Sequence, residues 1–340
     1  MNRDSLRILG SRVRKDVAEH LETVWGRALV AGFLVALVVP LFAGAYVVDV
    51  ATQILVFVLV VTSWNFVAGY FGILTFAHAA LFGVGGYAAA ILAAEAGVPP
   101  LLAVPLGGLV AGAFSLPMSV SILKLHGAYV AMITIAYAEI IHLAAILWRD
   151  VTGGPTGYIG FDPMFGGNRV ALFYVVLGFV LVFLALQYVL SISRVGLVAR
   201  AIRESEDAAQ MLGNNTTRLK LIGFVFSSSV AGVAGGLQAY NLLIISPPTL
   251  ELGRMIEFMA MGVVGGVRTL TGGIVGVVLV YGLAELLREL GGVRLLLWGV
   301  LLMVSIVYFP NGIVGTEIAI PAARDWAATA VEHVRDRIAR

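Results

Sequence analysis

The chain has 340 residues, of which 60% are hydrophobic and 12% are charged, and its formal net charge is +2. Globular domains average about 25% charged residues, so this chain has too few polar side chains to cover a water-facing body of its size. The composition excludes a soluble enzyme and indicates a membrane protein. The 40 glycines are typical of helices that pack closely in lipid or break within it.

The chain contains no cysteine, and its five histidines do not occur in the HExxH spacing of zinc enzymes. A disulfide, a thiolate nucleophile and a Cys-ligated metal are therefore ruled out. We predict no catalytic residue, no metal site and no resident cofactor.

Long apolar stretches dominate the chain. A membrane-crossing helix needs about 20 mainly apolar residues, and ten such stretches are separated by polar gaps or by gaps with Gly and Pro. We predict an all-α polytopic transmembrane bundle of about ten spans, some of them broken or short. The third, eighth and tenth are candidates for half-helices or re-entrant segments. The predicted spans are 28–48, 50–68, 72–95, 100–122, 127–148, 169–191, 221–245, 254–267, 271–290 and 294–309.

Orientation follows from the lysines and arginines, which are retained in cytoplasmic loops. With the N-terminus inside and ten crossings, 17 of the 22 lie on the cytoplasmic side. Both termini are therefore expected in the cytoplasm. The chain divides into an N-terminal segment 1–27, a transmembrane domain 28–310 with a polar cytoplasmic loop at 193–220, and a tail 311–340. The tail either lies on the membrane surface as a helix or is solvated.

Four polar side chains within the predicted spans are candidates for a translocation pathway, although many such groups only join neighbouring helices. They are Asn65, Thr75, His78 and Glu139. Glu139 precedes His142 by three residues, so a structural pair and a pathway role both stay open. For His78, close packing of the glycines around it and a broken helix both stay open. Glu257 and Glu285 lie near span ends, where reaching to the interface explains them.

Two loops between spans differ in character. The loop 149–168 is rich in Gly, Pro and Asp and is expected to form turns on the outer face, either as a docking place or as an ordinary connection. The 193–220 loop is charged on one side and apolar on the other. Its pattern predicts a helix at about 196–203, a second at about 204–212, and a helix end at Gly213.

The second helix of the 193–220 loop has the features of a docking element. The small side chains of Ala208 and Ala209 leave a shallow surface that suits a groove on a soluble partner. A plainly solvated charged face is the alternative. The charged residues around the alanines are Arg203, Glu204, Glu206 and Asp207.

The heptad Asp207-Ala208-Ala209-Gln210-Met211-Leu212-Gly213 resembles the E-A-A-x-x-x-G coupling motif of ABC importer permeases, with Asp in place of Glu. Further stretches resemble the permease of branched-chain amino acid ABC transporters, the LivM type, in the order of that family. They are SWNFVAGYFGILTFAHAALFGVGGYAAAIL (63–92), LKLHGAYVAMITIAYAEIIHL (123–143), TGGPTGYIG (152–160), SRVGLVARAIRESEDAAQMLGNNTTRLKL (193–221), AGVAGGLQAY (231–240), ISPPTL (245–250) and MIEFMAMGVVGGVRTLTGGIVGVVL (255–279).

The resemblance implies a type II ABC importer-like permease that imports branched-chain or related hydrophobic amino acids. It implies a second, LivH-like permease, two cytoplasmic ATPase subunits, an extracellular or periplasmic solute-binding protein and membrane lipid as partners, and no nucleic acid. ATP would be bound by the partners, since the chain has no G-x-x-x-x-G-K-[ST] loop. The residues implied in coupling to the ATPases are Arg200, Arg203, Glu204, Glu206, Asp207, Ala208, Ala209 and Gly213.

Other functions stay open at this point. A permease of the same architecture for urea, short amides or a simple sugar fits the same residues. An ion-coupled secondary transporter would use Glu139, His78 or Glu257 as a proton relay, but it would have no reason to carry the D-A-A-x-x-x-G segment. A membrane enzyme would need a convergent Asp, His and Ser set, and the candidate residues are too scattered for one.

Overall fold

The structure is a computed structural model, and it describes residues 24–123, 125, 127–287, 299–300, 303 and 312–314, with side chains from residue 32 onward. The described part is all-α, as the composition predicts. Within it, a bridge between Tyr158 and Ile245 is the one β-type pairing. The segments 1–23 and 315–340, which hold most of the two predicted terminal regions, lie outside the described residues.

Helices account for most of the described chain, and the main ones are numbered α1 to α11. In chain order they are α1 (Val24–Phe42), α2 (Ala45–Asn65, prolonged by a π-helix at Phe66–Phe71), α3 (His78–Ala96), α4 (Pro100–Ile122), α5 (Ala128–Leu147), α6 (Arg169–Ile192), α7 (Arg194–Glu204), α8 (Glu206–Met211), α9 (Thr216–Leu242), α10 (Leu252–Gly265) and α11 (Leu270–Leu286).

Among the described residues, six helices are long and apolar enough to cross a membrane, or seven spans if the bent pair α10 and α11 counts as one. Spans predicted at 100–122, 127–148 and 169–191 are confirmed within one residue. The predicted boundary between the first two spans is wrong, because α1 already ends at Phe42 and α2 begins at Ala45. The tenth predicted span, 294–309, lies almost entirely outside the described residues.

The predicted break in the third span is confirmed, and it takes up the start of that span. After the π-helix the chain turns at Gly72, whose φ is +71°, and residues 73–77 are not helical. Helix α3 then begins at His78 rather than at residue 72. Since only glycine adopts such a φ without strain, the sequence places this turn where the backbone needs it.

The centre of the bundle is α9, which packs mainly against α3 and α4. A methyl group at Gly235 would overlap the carbonyl oxygen of Phe82, and one at Gly85 would overlap the backbone of Gly232. The helices therefore approach closely because the contact positions have no side chain. Glycine packing and a broken helix, the two open interpretations of the region around His78, both occur.

The short eighth and ninth predicted spans form a sharply bent pair. Helices α10 and α11 meet at 114° across residues 266–269, and Gly266 has a φ of +124°. A methyl group at Gly265 would overlap the carbonyl oxygen of Gly272, so the two helices are in backbone contact beside the bend. This confirms the prediction of a broken or re-entrant segment here.

Candidate functional site

The 193–220 loop folds as the predicted pair of short helices. Ser193, Ser205 and Asn215 stand at the N-caps of α7, α8 and α9, where each side-chain oxygen accepts a hydrogen bond from a backbone N–H of the first turn. Gly213 follows α8 with a φ of +79°, which ends that helix. Local sequence therefore fixes both helices and the turn after them.

Two arginines of α7 reach back to the helical bundle, the exposed Arg200 and the partly buried Arg203. The Nη2 of Arg200 donates to the Ser191 carbonyl oxygen at 2.8 Å, and its guanidinium lies 5.6 Å from the centre of the Tyr70 ring. The Nη1 of Arg203 donates to the Gly69 carbonyl oxygen at 2.6 Å. Both side chains thus attach α7 to the π-helix region.

Helix α8 is attached as well. The buried Lys220 of α9 forms an ion pair with Glu206, and Ala209 is buried. The predicted docking surface is therefore corrected at three positions. Arg203 and Glu206 bind the bundle, and Ala209 is inside rather than on the surface.

The outward side of the loop consists of other residues. Glu204, Asp207 and Ala208 are exposed, and so are Met211 and Leu212, at 89% and 79% of their full areas. Met211 and Leu212 are not among the contact residues that the sequence predicts. The sequence does contain a signal for them, because two large apolar residues directly before the helix-ending Gly213 are candidates for an exposed contact.

Glu204 carries a charge interaction that reaches back to the bundle. It accepts hydrogen bonds from Arg203, at 2.6 Å from Nη2. This hydrogen bond and the charge of Arg203 hold the pKa of the Glu204 carboxyl below its usual range, with a smaller contribution from Arg268. Arg268 lies in the bend between α10 and α11.

A continuous set of contacts joins the loop to that bend. A methyl group at Gly69 would overlap the Val267 carbonyl oxygen, and one at Gly72 would come within 2.8 Å of Cγ of Arg203. The π-helix is therefore packed between α7 and the bend.

Asn65 lies at the same bend. It is buried, and its Nδ2 is 3.5 Å from the Gly266 carbonyl oxygen, which accepts a hydrogen bond. Positions without a side chain surround it, since a Cβ at Gly262 would lie 2.6 Å from its Oδ1. Oδ1 has no hydrogen-bond partner among the described residues. The structure places Asn65 against the bent pair.

Thr75 belongs to the non-helical segment before α3. Its carbonyl oxygen accepts a hydrogen bond from Nε1 of Trp64 at 2.9 Å, and its hydroxyl accepts one from the Ala77 N–H at 3.2 Å. The next residue, Phe76, donates its N–H to the hydroxyl of Thr134 at 3.0 Å. These bonds satisfy backbone groups that the broken helix leaves free, as burial requires.

His78 is fully buried and is bonded to α9. Its Nε2 lies 2.7 Å from the hydroxyl of Ser227, and this hydroxyl donates to the Ser63 carbonyl oxygen at 2.5 Å. A hydroxyl has one hydrogen, so Nε2 must carry the proton and donate to Ser227. The contact joins α3, α9 and α2, which is the role of a polar side chain between packed helices.

Glu139 lies elsewhere, on the exposed side of α5. Its Oε1 is 3.3 Å from Nδ1 of His142, and Nε2 of the same ring is 4.0 Å from Oε1 of Glu251. Glu139 and His142 are therefore in contact, as the structural-pair interpretation expects. The four candidate pathway residues therefore do not converge. Three lie around the end of α2, and Glu139 faces away from the interior of this chain.

The loop 149–168 forms turns, as predicted, and joins two parts of the bundle. The Tyr158 hydroxyl donates to Oε1 of Glu95 at 3.1 Å, and its backbone pairs with Ile245. Partial burial, with the hydrogen bond and the charge of Glu95, raises the pKa of the Tyr158 hydroxyl. The loop is thus tied to the ends of α3 and α9.

Comparison with known proteins identifies the family of the chain. The family model described as "Branched-chain amino acid transport system / permease component" matches residues 46–309. The chain belongs to this family of ABC permeases. It is accordingly a multi-pass membrane subunit, and not itself an enzyme. No solved structure matches the chain.

Individual relatives carry names of the same kind. The chain is 27% identical to the high-affinity branched-chain amino acid transport system permease protein LivM of Salmonella typhimurium, over 84% of this chain and 74% of that one. It is 25% identical to a probable branched-chain amino acid transport permease protein LivH of Methanocaldococcus jannaschii, over 69% of this chain and 80% of that one. A LivH of Escherichia coli is 35% identical over 32% of this chain and 35% of its own length.

Proposed function

We propose that the chain is the permease subunit through which an ABC importer moves branched-chain or related hydrophobic amino acids across the cell membrane, with both termini in the cytoplasm. The names of the relatives support the substrate class. A second, LivH-like permease, two cytoplasmic ATPase subunits and a solute-binding protein on the other side complete the transporter. ATP binds to the ATPase subunits, and this chain holds no cofactor.

One observation carries the coupling role. The 193–220 loop exposes Met211, Leu212 and Ala208 on one side while its other side is bound to the bundle. Large apolar side chains exposed to water favour a protein partner, and small Ala208 beside them permits close approach. This outward side, formed by Asp207, Ala208, Met211 and Leu212, is the docking face for an ATPase subunit.

The inward side of the loop transmits the motion. When the ATPase subunits close, α8 moves with them, and the ion pair of Glu206 with Lys220 carries the movement into α9. The hydrogen bond from Arg203 to Gly69 carries it into the π-helix and the bend at 266–269. The bend is where two helices can change their relative angle, so it is the place where access to the pathway alternates.

The first test is uptake of radiolabelled leucine, and separately of urea, in cells that lack this chain. The native chain is compared with Ala208→Glu and with the matched control Thr217→Glu. Both positions are exposed in the loop, and both variants add one carboxylate, but Thr217 lies off the docking face. Native and Thr217→Glu restore leucine uptake, whereas Ala208→Glu fails at normal membrane levels and does not retain the ATPase on purification.

Other outcomes discriminate among the alternatives. Uptake of urea instead of leucine keeps the permease role and replaces the substrate. Equal activity of Ala208→Glu and Thr217→Glu contradicts the docking face. Leucine uptake that persists when the ATPase subunits are deleted supports the ion-coupled secondary transporter.

A further inference from the structure

Helix α5 is the least buried of the six candidate spans. Within its most apolar stretch 22% of the residues are buried, against 33% to 72% for the other five. Its exposed residues recur every three or four positions and form one continuous stripe, which we call the α5 stripe. The stripe comprises Tyr129, Met132, Ala136, Glu139 with Ile140, Leu143 and Leu147.

The α5 stripe differs in one respect from the exposed sides of the spans that precede and follow it in the chain. Helix α4 contains no charged residue, and α6 has a charge only at Arg169, its first position. Their exposed side chains are of the kind that lipid accepts, for example Leu109 and Phe114 on α4 and Val182 and Leu186 on α6. The α5 stripe instead has a carboxylate in its middle.

The depth of Glu139 makes lipid an unsuitable neighbour. It is the twelfth of the 20 residues of α5, which places it about 16 Å along a helix of about 30 Å. A carboxylate at that depth is costly and faces protein or a water-filled path. The side chain of Glu139 is 53% exposed in this chain alone, so the missing neighbour is not supplied by the described residues.

The groups beside Glu139 define what that neighbour must offer. His142 lies between Glu139 and Glu251, at 3.3 and 4.0 Å. The cluster therefore places two carboxyl groups and one imidazole beside an apolar stripe. A fitting partner brings an apolar helix face with a basic side chain, or with several hydrogen-bond donors, opposite Glu139.

We infer that the α5 stripe is the surface on which the second permease subunit packs, with the Glu139, His142 and Glu251 cluster as the polar contact at the centre of the interface. This inference rests on the proposed function, which supplies a second permease as a membrane-embedded partner. A helix packed mainly against a partner is expected to be poorly buried in its own chain, as α5 is.

The absence of cysteine permits a direct test by single-cysteine crosslinking in the assembled transporter in membranes. Ala136→Cys and Leu143→Cys on the stripe are labelled with a benzophenone maleimide, beside the control positions Leu109→Cys on α4 and Leu186→Cys on α6. We expect adducts with the second permease from the two α5 positions, at least tenfold above the controls. All four residues are exposed, so folding is preserved.

Three results would overturn the inference. They are α5 positions that give no protein adduct, α5 positions that crosslink to another copy of this chain, and controls that crosslink to the second permease as strongly as α5 does. If the transporter proves not to carry leucine, the substrate in the proposed function is wrong but the crosslinking result still stands. The adducts report which subunits are in contact and not what they transport.

Charge reversal tests the polar contact itself. Glu139→Lys is expected to lower co-purification of the second permease at least tenfold, while Glu139→Gln, which keeps the shape and can still accept a hydrogen bond, lowers it less than threefold. Met132→Lys places the same charge about two turns earlier on the stripe, so it distinguishes general disruption of the stripe from loss of this contact. Retention of the second permease by Glu139→Lys contradicts the assigned contact.

Discussion

The 193–220 loop and the α5 stripe both expose side chains that do not suit their surroundings, but the two mismatches are opposite. The loop exposes the apolar Met211 and Leu212 in a charged segment outside the spans. The stripe exposes the charged Glu139 within an apolar span. Each is unfavourable for the isolated chain, and each would be relieved by a partner of a different kind.

The two regions also differ in how they are held. The loop is bound to the bundle by Arg200, Arg203 and Glu206, whereas α5 is packed loosely along most of its length. A surface that has to transmit force needs such attachments, while one that is part of an interface does not. This difference fits the two proposals, in which the loop transmits motion and α5 packs against a second subunit.

The largest effect is expected from removing the apolar side chains of the docking face. Met211→Asp combined with Leu212→Asp should reduce leucine uptake about 100-fold while the chain remains in the membrane, because both side chains are exposed and contribute little to its own fold. Uptake and copurifying ATPase activity are measured together. If this variant still binds the ATPase, Met211 and Leu212 are not required for docking.

The next effect concerns transmission rather than docking. Arg203→Ala removes the hydrogen bond to Gly69 and should lower uptake about tenfold while the ATPase subunits remain bound and hydrolyse ATP. Arg203→Lys should be intermediate, since a lysine cannot reproduce the guanidinium geometry. Arg218→Ala is the control, because its exposed side chain lies on the same loop. Dissociation of the ATPase from Arg203→Ala would assign the residue to docking instead.

The interior that supports both regions can be tested by its closest glycine contact. Gly235→Ala places a methyl group against the Phe82 carbonyl oxygen and should destabilise the chain by about 1–3 kcal/mol through overpacking. Gly178→Ala, which meets nothing within 4 Å, should be neutral or slightly stabilising. Thermal unfolding in detergent compares the two, and equal melting temperatures would contradict the α3–α9 contact.

The smallest effect is a dependence of stability on pH. Because the pKa of Glu204 is lowered in the folded chain, its ion pair stabilises the fold above the ordinary carboxyl pKa and is lost as the pH falls through the lowered value. Between pH 7 and pH 3 the native chain should lose slightly more thermal stability than Glu204→Gln. The effect is small because the carboxylate is exposed to solvent. A larger loss in Glu204→Gln would contradict the sign.

Prediction from sequence succeeded where the signal is local. Helix α4 starts at Pro100 after a Gly97 in the left-handed region, and α8 ends before Gly213, so their bounds could be predicted. Prediction failed where packing decides direction. Ala208 and Ala209 are adjacent small apolar residues, and the helical period does not show which of them points inward. Only the packing of α8 against its surroundings leaves Ala208 exposed and buries Ala209.

The same limit applies to the candidate pathway residues. Their depth in the spans follows from the sequence, but whether His78 bonds a neighbouring helix and Glu139 faces outward depends on how each helix is rotated against the others. That rotation is set by packing between distant segments, such as the contact of Gly235 on α9 with Phe82 on α3, which no local pattern shows.

By itself the sequence determined the medium, the helices and the family, since hydrophobic length, capping residues and the heptad 207–213 are properties of contiguous segments. The tertiary structure decided which side of each helix is used. It turned Arg203 toward Gly69, left Met211 exposed and set Glu139 on a free stripe, because the direction of a side chain depends on packing between segments that are far apart in the chain.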